Sequence, residues 1–240
     1  MTHQKLENKV AIIVGASSGM GRATAIAFSR EGSKLVLASR NASALQSLSE
    51  ELGTQNLVCP TDACDREEVE RLIGQTLDTF GRIDIVVYAT GTNIPNRSLE
   101  ELDHETWDMM LSTNLTGAFN CTKASLPIME KQQDGLIIYI SSISVTRADV
   151  SGVSYQAAKH GLSGLAHGTF VEKKDKGIRT TVIFPGLCDT PLVLQRPVKT
   201  PEVILAKALQ PQDVADACLY VATSPRRARI GELTLQPTEL

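Results

Sequence analysis

The chain has 240 residues, 42% of them hydrophobic and 21% charged, with a net charge of −3. That is the make-up of a soluble globular protein long enough to bury a sizeable core. The slight acidic balance leaves no footprint for nucleic acid or anionic lipid, and short basic pairs such as Lys173 with Lys174 and Arg226 with Arg227 read as solvated surface. Polar residues 1–9 hold no apolar signal-peptide core, and no stretch has the apolar length needed to span a bilayer. Five cysteines (Cys59, Cys64, Cys121, Cys188 and Cys218) form no C-x-x-C pair and have no clustered histidines beside them. Reduced thiols in a cytoplasmic protein are expected, with no disulfide framework and no metal site.

The predicted elements alternate along the whole chain. Val10–Val14 is a short apolar strand, followed by a glycine-rich turn and a helix over residues 21–30. Strand 34–38, helix 42–52 and strand 56–59 come next. Helix 65–80 leads to strand 83–89, which is almost unbroken in its aliphatic character. A long helix over 102–131, strand 136–140, helix 153–174 and strand 178–184 follow, and Pro211–Thr223 and Glu232–Leu235 supply the last helix and strand. Continuously apolar strands are buried on both faces, as parallel strands covered by helices must be. The expectation is therefore one α/β domain over residues 1–240, a doubly wound seven-stranded parallel sheet of Rossmann type with helices on both faces. Residues 190–210, carrying Pro191, Pro197 and Pro201, read as a long substrate loop.

Gly15, Ala16, Ser17, Ser18, Gly19, Met20 and Gly21 directly follow the first strand and open a helix. Such glycines let the backbone approach a pyrophosphate that helix N-terminal N–H groups then bind. At the end of the second strand, where an acid commonly meets the ribose 2′-hydroxyl of NAD, the chain has Ser39 and Arg40 instead. An arginine there suits a 2′-phosphate, so NADP(H) is favoured over NAD(H), with an exposed helix-start residue as the alternative for Arg40. Asp62 is a candidate acceptor for the adenine amino group with Ala63 beside it, or else an N-cap for the helix from Asp65.

Tyr155 and Lys159 stand at i and i+4 on a predicted helix, one turn apart on one face. A nearby ammonium should stabilise the phenolate and pull a tyrosine pKa down from about 10. Ser141 and Ser142 close the preceding strand at the carboxyl edge of the sheet, where a hydroxyl can donate to a developing alkoxide. Asn114 is a polar residue on a helix that otherwise packs inward; it reads as a site residue, or as a kink or solvent-facing amide.

These motifs together, in order and spacing, resemble the short-chain dehydrogenase/reductase family over essentially the whole chain. They are Gly15-x-x-x-Gly19-x-Gly21, Asn114, Ser142, Tyr155-x-x-x-Lys159 and Pro185-Gly186. The resemblance implies a tetrad. Tyr155 would be the acid in reduction and the base in oxidation, and Ser142 would orient the carbonyl. Lys159 would hold the nicotinamide ribose and lower the phenol's pKa, while Asn114 would hold a water linking Lys159 to solvent. Pro185 and Gly186 would lead to Cys188, acting through its backbone, and Thr190, which together would hold the nicotinamide carboxamide. One departure stands out. Tyr88, Ala89, Thr90 and Gly91 replace the family's usual Asn-Asn-Ala-Gly; Gly91 keeps the close approach to the cofactor, and Tyr88 either fills space against a helix or borders the adenosine.

The implied activity is hydride transfer between NADP(H) and a carbonyl or secondary alcohol, in a dimer or tetramer built on the two long helices. A non-catalytic dinucleotide-binding sensor or scaffold is the alternative, although such a protein has no need of Ser142 and Tyr155 together. The tail, Ile230 to Thr238, resembles that of relatives acting on small hydroxy acids or related alcohols. Residues 143–151 and 190–210 should line the substrate pocket, with Arg147 and Arg196 as its cations or as solvated charges.

Overall fold

The computed structural model describes residues 4–240, so Met1, Thr2 and His3 of the polar N-terminal stretch lie outside it. Its strands are β1 (Val10–Val14), β2 (Lys34–Ser39), β3 (Asn56–Pro60), β4 (Ile85–Tyr88), β5 (Gly135–Ile140), β6 (Ile178–Pro185) and β7 (Glu232–Leu235). All pair in parallel in the order β3-β2-β1-β4-β5-β6-β7. The strand order reverses between β1 and β4, where a crevice opens at the carboxyl ends of the strands.

Period-two alternation splits each central strand between two cores. Val10, Ile12 and Val14 face one side with Val86, Tyr88, Ile137 and Tyr139, and there meet α3 (Arg66–Phe80), α5 (Gly117–Gln132) and α6 (Val153–Lys173). Ala11 and Ile13 face the other side with Leu35, Leu37, Val87 and Ile138. The helices there are α1 (Gly19–Arg30), α2 (Ala42–Glu51) and α8 (Pro211–Thr223), through residues such as Phe28, Leu45 and Val214.

Polar groups gather at the two ends of the strands. At the amino ends, buried Asp84 accepts from the Val10 amide (2.9 Å), from Arg82 Nε (2.8 Å) and from Lys9 Nζ (3.2 Å). Burial pushes its carboxyl up. The Arg82 and Val10 hydrogen bonds and the Lys9 charge outweigh that and hold it below the ordinary carboxylate value.

Several element boundaries differ from expectation. Strand β4 starts at Ile85 rather than 83, because Asp84 turns its side chain back onto β1. Helix α1 starts at Gly19, two residues early. The long helix expected over 102–131 is interrupted. Asp103 caps α4 (His104–Leu111) by accepting from Thr106 N, and Ser112–Thr116 then forms a π turn before α5. Two side-chain hydrogen bonds hold that wider turn. Tyr88 Oη donates to Thr113 O at 2.7 Å, and Asn114 Nδ2 donates to Met110 O at 2.9 Å. Within 190–210 the chain forms a short 3-10 helix at Pro191–Gln195 and one turn of helix, α7 (Glu202–Leu205).

Candidate active site

The loop between β1 and α1 makes the floor of the crevice. Gly15 has φ of 92°, and a side chain there would press on the backbone of Ala89 and Thr90, 2.9 Å from each. A side chain on Gly21 would strike the Gly15 carbonyl, so the first turn of α1 can pack against the loop only with glycine there. Ser18 occupies the N-cap position of α1 and makes no capping hydrogen bond. The helix's first N–H groups are thus left to a ligand, as a pyrophosphate requires. Ser17, Ser18, Gly19 and Met20 line the crevice, while Gly21 lies buried beneath it.

Ser39, Arg40, Asp62 and Ala63 line the far end of the same crevice. Ser39 Oγ accepts from Asn41 N and keeps its proton to donate, and Asn41 caps α2. Arg40 is exposed and makes no hydrogen bond or ion pair with any described residue, whereas Arg22 is paired with Glu51. Asp62 is not the N-cap of α3. Asp65 fills that position by accepting from Glu68 N, and Asp62 Oδ1 accepts instead from Cys64 N. Its second oxygen is available to the crevice.

Ala89, Thr90 and Gly91 continue the lining towards Tyr155 and Lys159. The Tyr88 question is decided: the ring is fully buried and its hydroxyl holds the π turn, so it does not border the crevice. That turn presents Asn114, whose Oδ1 accepts from Thr92 N (3.0 Å) and whose Nδ2 donates to Thr92 O (3.1 Å). Asn114 is therefore neither solvent-facing nor a simple kink; it clamps the chain leaving β4. A Cβ on Gly91 would lie 3.1 Å from both Asn114 Oδ1 and Lys159 Nζ, so those two polar groups flank one small space.

Lys159 is 4% exposed, and its ammonium donates to Ile140 O at 3.0 Å. Ser141 is buried and donates to Lys159 O, which fixes α6 against the end of β5. Ser142 accepts from Ser144 N and lines the same chamber as Tyr155, whose phenol it pulls down in pKa. The expected lowering of the Tyr155 pKa by Lys159 is not found among the protein's own groups. Burial pushes the phenol up to about 12, against the smaller downward pull of Ser142 and of the Arg97 and Arg196 charges. Burial also pushes Lys159 down to about 8. The physical reason is that desolvation disfavours both charged forms, while the ammonium stands 5.7 Å from the ring centre and is bonded elsewhere. At neutral pH both groups keep their protons, the state a proton donor needs.

Residues 9–199 match the family model described as short chain dehydrogenase. An uncharacterized oxidoreductase from Staphylococcus aureus (strain MRSA252) is 35% identical over 233 residues, covering 97% of this chain and 98% of the relative. The chain belongs to the short-chain dehydrogenase/reductase family. Among solved short-chain dehydrogenase/reductase structures it is similar to an alcohol dehydrogenase from the archaeon Thermococcus sibiricus complexed with 5-hydroxy-NADP. That match has 29% identity, a TM-score of 0.86 and 97% coverage of each chain. A 3-ketoacyl-(acyl-carrier-protein) reductase from Brucella melitensis complexed with NADH shares 25% identity, with a TM-score of 0.88 and coverage of 96% of this chain and 97% of that one. As a member of this family the chain is an enzyme that binds a nicotinamide dinucleotide.

Beyond Tyr155 the crevice opens into a chamber bordered by Ser142, Pro185, Gly186, Cys188 and Thr190. The Cys188 thiol is pushed up to about 12 by burial, so it is no nucleophile at neutral pH. Gly186 N donates to Leu235 O (2.7 Å), and a side chain on Gly186 would press on Pro237, so the tail braces this loop from behind. Leu192, Val193 and Arg196 line the chamber as the sequence led us to expect, whereas Arg147 and Val150 point into solvent. Two lining residues carried no sequence signal. Asn93 and Arg97 lie in an aperiodic polar loop after β4, and Asn93 Nδ2 ties that loop to Ser151 O at 3.0 Å.

Cys64 is the half-buried cysteine among five and lines the dinucleotide end of the crevice. A thiol reagent applied to the native protein should modify Cys64 first, and saturating dinucleotide should slow that reaction about tenfold or more, following site occupancy. Peptide mapping after timed labelling checks this. Labelling of Cys64 at the same rate with and without dinucleotide would place the cofactor elsewhere.

Proposed function

We propose that this enzyme uses NADP(H) to interconvert a carbonyl compound and its secondary alcohol. The observation that best supports the reading is the convergence of Tyr155, Ser142, Lys159 and Asn114 at one end of the sheet, where crevice and chamber meet. When bound, the nicotinamide supplies or accepts the hydride. Ser142 and Tyr155 hydrogen-bond the substrate oxygen, and Tyr155 gives it a proton in reduction and takes one in oxidation. Lys159 holds the nicotinamide ribose and lends its charge to the phenolate, and Asn114 holds the water that connects Lys159 to solvent. Pro185, Gly186, Cys188 and Thr190 bind the carboxamide, and residues 190–210 close over the substrate. Ser17, Ser18, Gly19 and Met20 take the pyrophosphate, and Asp62 and Ala63 the adenine. Unpaired Arg40, with Ser39, favours the 2′-phosphate of NADP(H).

Among the described residues no helix is long and apolar enough to cross a membrane. We further propose a homo-oligomer, dimer or tetramer, through α4–α5 and α6, where Phe119 and Val171 remain exposed. Light scattering on the purified protein should give a mass of two or four chains, and the mass of one chain would refute this.

Replacing the proton donor, Tyr155→Phe, should lower kcat by about 10²–10⁴-fold while leaving the cofactor dissociation constant almost unchanged. Steady-state assays and fluorescence titration measure the two, and undiminished turnover would sink the assignment. Arg40→Ala should weaken NADPH by about tenfold or more and NADH little, since one charge-assisted phosphate contact is removed. Titration with both cofactors tests this; an unchanged ratio would remove the case for NADP(H).

A further inference from the structure

Arg97 is 8% exposed and borders the chamber beside Tyr155. Among the described residues its Nε has no hydrogen-bond partner, and no carboxylate lies within ion-pair distance of its guanidinium. Burying an arginine without acceptors is costly, and structural arginines usually gather backbone carbonyls or an acid. Here the stem is held instead. The Arg97 Cβ and Cδ stand 2.9 and 3.1 Å from where a side chain on Gly152 would begin, so the aliphatic part lies across the start of α6. The Asn93 bond to Ser151 O pins the same pair of loops together. Packing thus delivers a charged head to the chamber and leaves it unanswered.

The other charges facing this space are Arg196 and Asp149. Arg196 Nη1 reaches Thr200 Oγ1 at 3.3 Å and keeps its remaining donors, and Asp149 Oδ1 accepts from Ser151 N. Arg97 and Arg196 repel one another, and Asp149 offsets part of their charge. Two guanidiniums against one carboxylate leave the chamber one unit positive, which suits a single carboxylate better than a doubly charged phosphate. We propose that the substrate is an oxo acid or hydroxy acid, and that Arg97, assisted by Arg196, holds its carboxylate while the carbonyl lies at Tyr155. This rests on the assignment of Tyr155 as the proton donor.

The test uses matched pairs in which only the charge differs: acetoacetate and 4-oxopentanoate against their methyl esters, each with NADPH. The wild-type enzyme should reduce at least one acid with a kcat/KM about 30-fold above that of its ester, the scale of one charged hydrogen-bonded contact. Arg97→Met should bring that ratio close to one, chiefly through KM, while Arg97→Lys should retain part of it. Asp149→Asn, which removes the opposing charge, should raise it. A wild-type ratio near one, or a ratio that survives in Arg97→Met with Arg97→Lys indistinguishable from it, would overturn the proposal and leave the oxidoreductase reading standing. If none of the four compounds turns over, their binding is read by quenching of bound NADPH fluorescence. Acid-selective binding that Arg97→Met and Arg97→Lys grade in that order upholds the anion site independently of turnover, and binding without acid preference overturns it.

Discussion

A parallel sheet buried on both faces has nowhere to put polar side chains except the two ends of its strands, and the arrangement of this enzyme follows from that restriction. At the amino ends, Asp84, Arg82 and Lys9 consume one another's charges and tie β1 to β4. At the carboxyl ends the polar groups are left incompletely satisfied. Among the described residues Ser18 caps nothing, Arg40 pairs with nothing, and Arg97 carries an unpartnered Nε. The first end pairs charge with charge and is structural, although Arg179 there also carries an unpartnered Nε; the second retains bonding capacity where the crevice opens. The glycine loop lets the two halves of the sheet meet closely there, because Gly15 lies against the backbone of Ala89 and Thr90.

Tyr88 links the departure from the family pattern to the site. With no amides at positions 88 and 89, the phenol of Tyr88 reaches across to Thr113 O and holds the π turn that carries Asn114. Asn114 in turn bonds both the amide and the carbonyl of Thr92. The connection between β4 and the helix is therefore kept by different atoms. It runs through a buried aromatic side chain, so its strength depends on the packing of the core as well as on hydrogen bonds.

The succession of seven parallel strands, the helices on both faces and most of the residues lining the crevice were legible in the sequence, because they follow from continuous apolar runs and from glycines at fixed offsets. Val10–Val14 and Glu232–Leu235 form strands with those very bounds. The π turn was not legible. Hydrophobic periodicity continues through Leu111 and Leu115, and one extra residue shifts the register by less than a helical face. Its cause lies 25 residues away in Tyr88, which reads locally as one more apolar strand residue. Arg97 was hidden for a related reason. Its burial comes from Gly152 and the Asn93 bond to Ser151, contacts between loops that no periodicity describes. The direction of the Tyr155 shift was misjudged because spacing on a helix reports neighbours but not desolvation.

The charge of the chamber and the proton chemistry of Tyr155 are coupled. Burial, aided by the Asp149 charge, holds the phenol at about 12, and Arg97 and Arg196 oppose that by favouring the phenolate. On the proposal that the substrate is a carboxylate, its charge offsets those guanidiniums as it binds, so the phenol holds its proton more firmly at the moment of reduction. In the opposite direction the same anion makes the base form harder to reach. A neutral substrate would leave Arg97 unanswered and the phenol slightly more acidic. On that proposal substrate charge enters the protonation balance of the reaction as well as the affinity, because the cations proposed to bind the carboxylate also act on Tyr155.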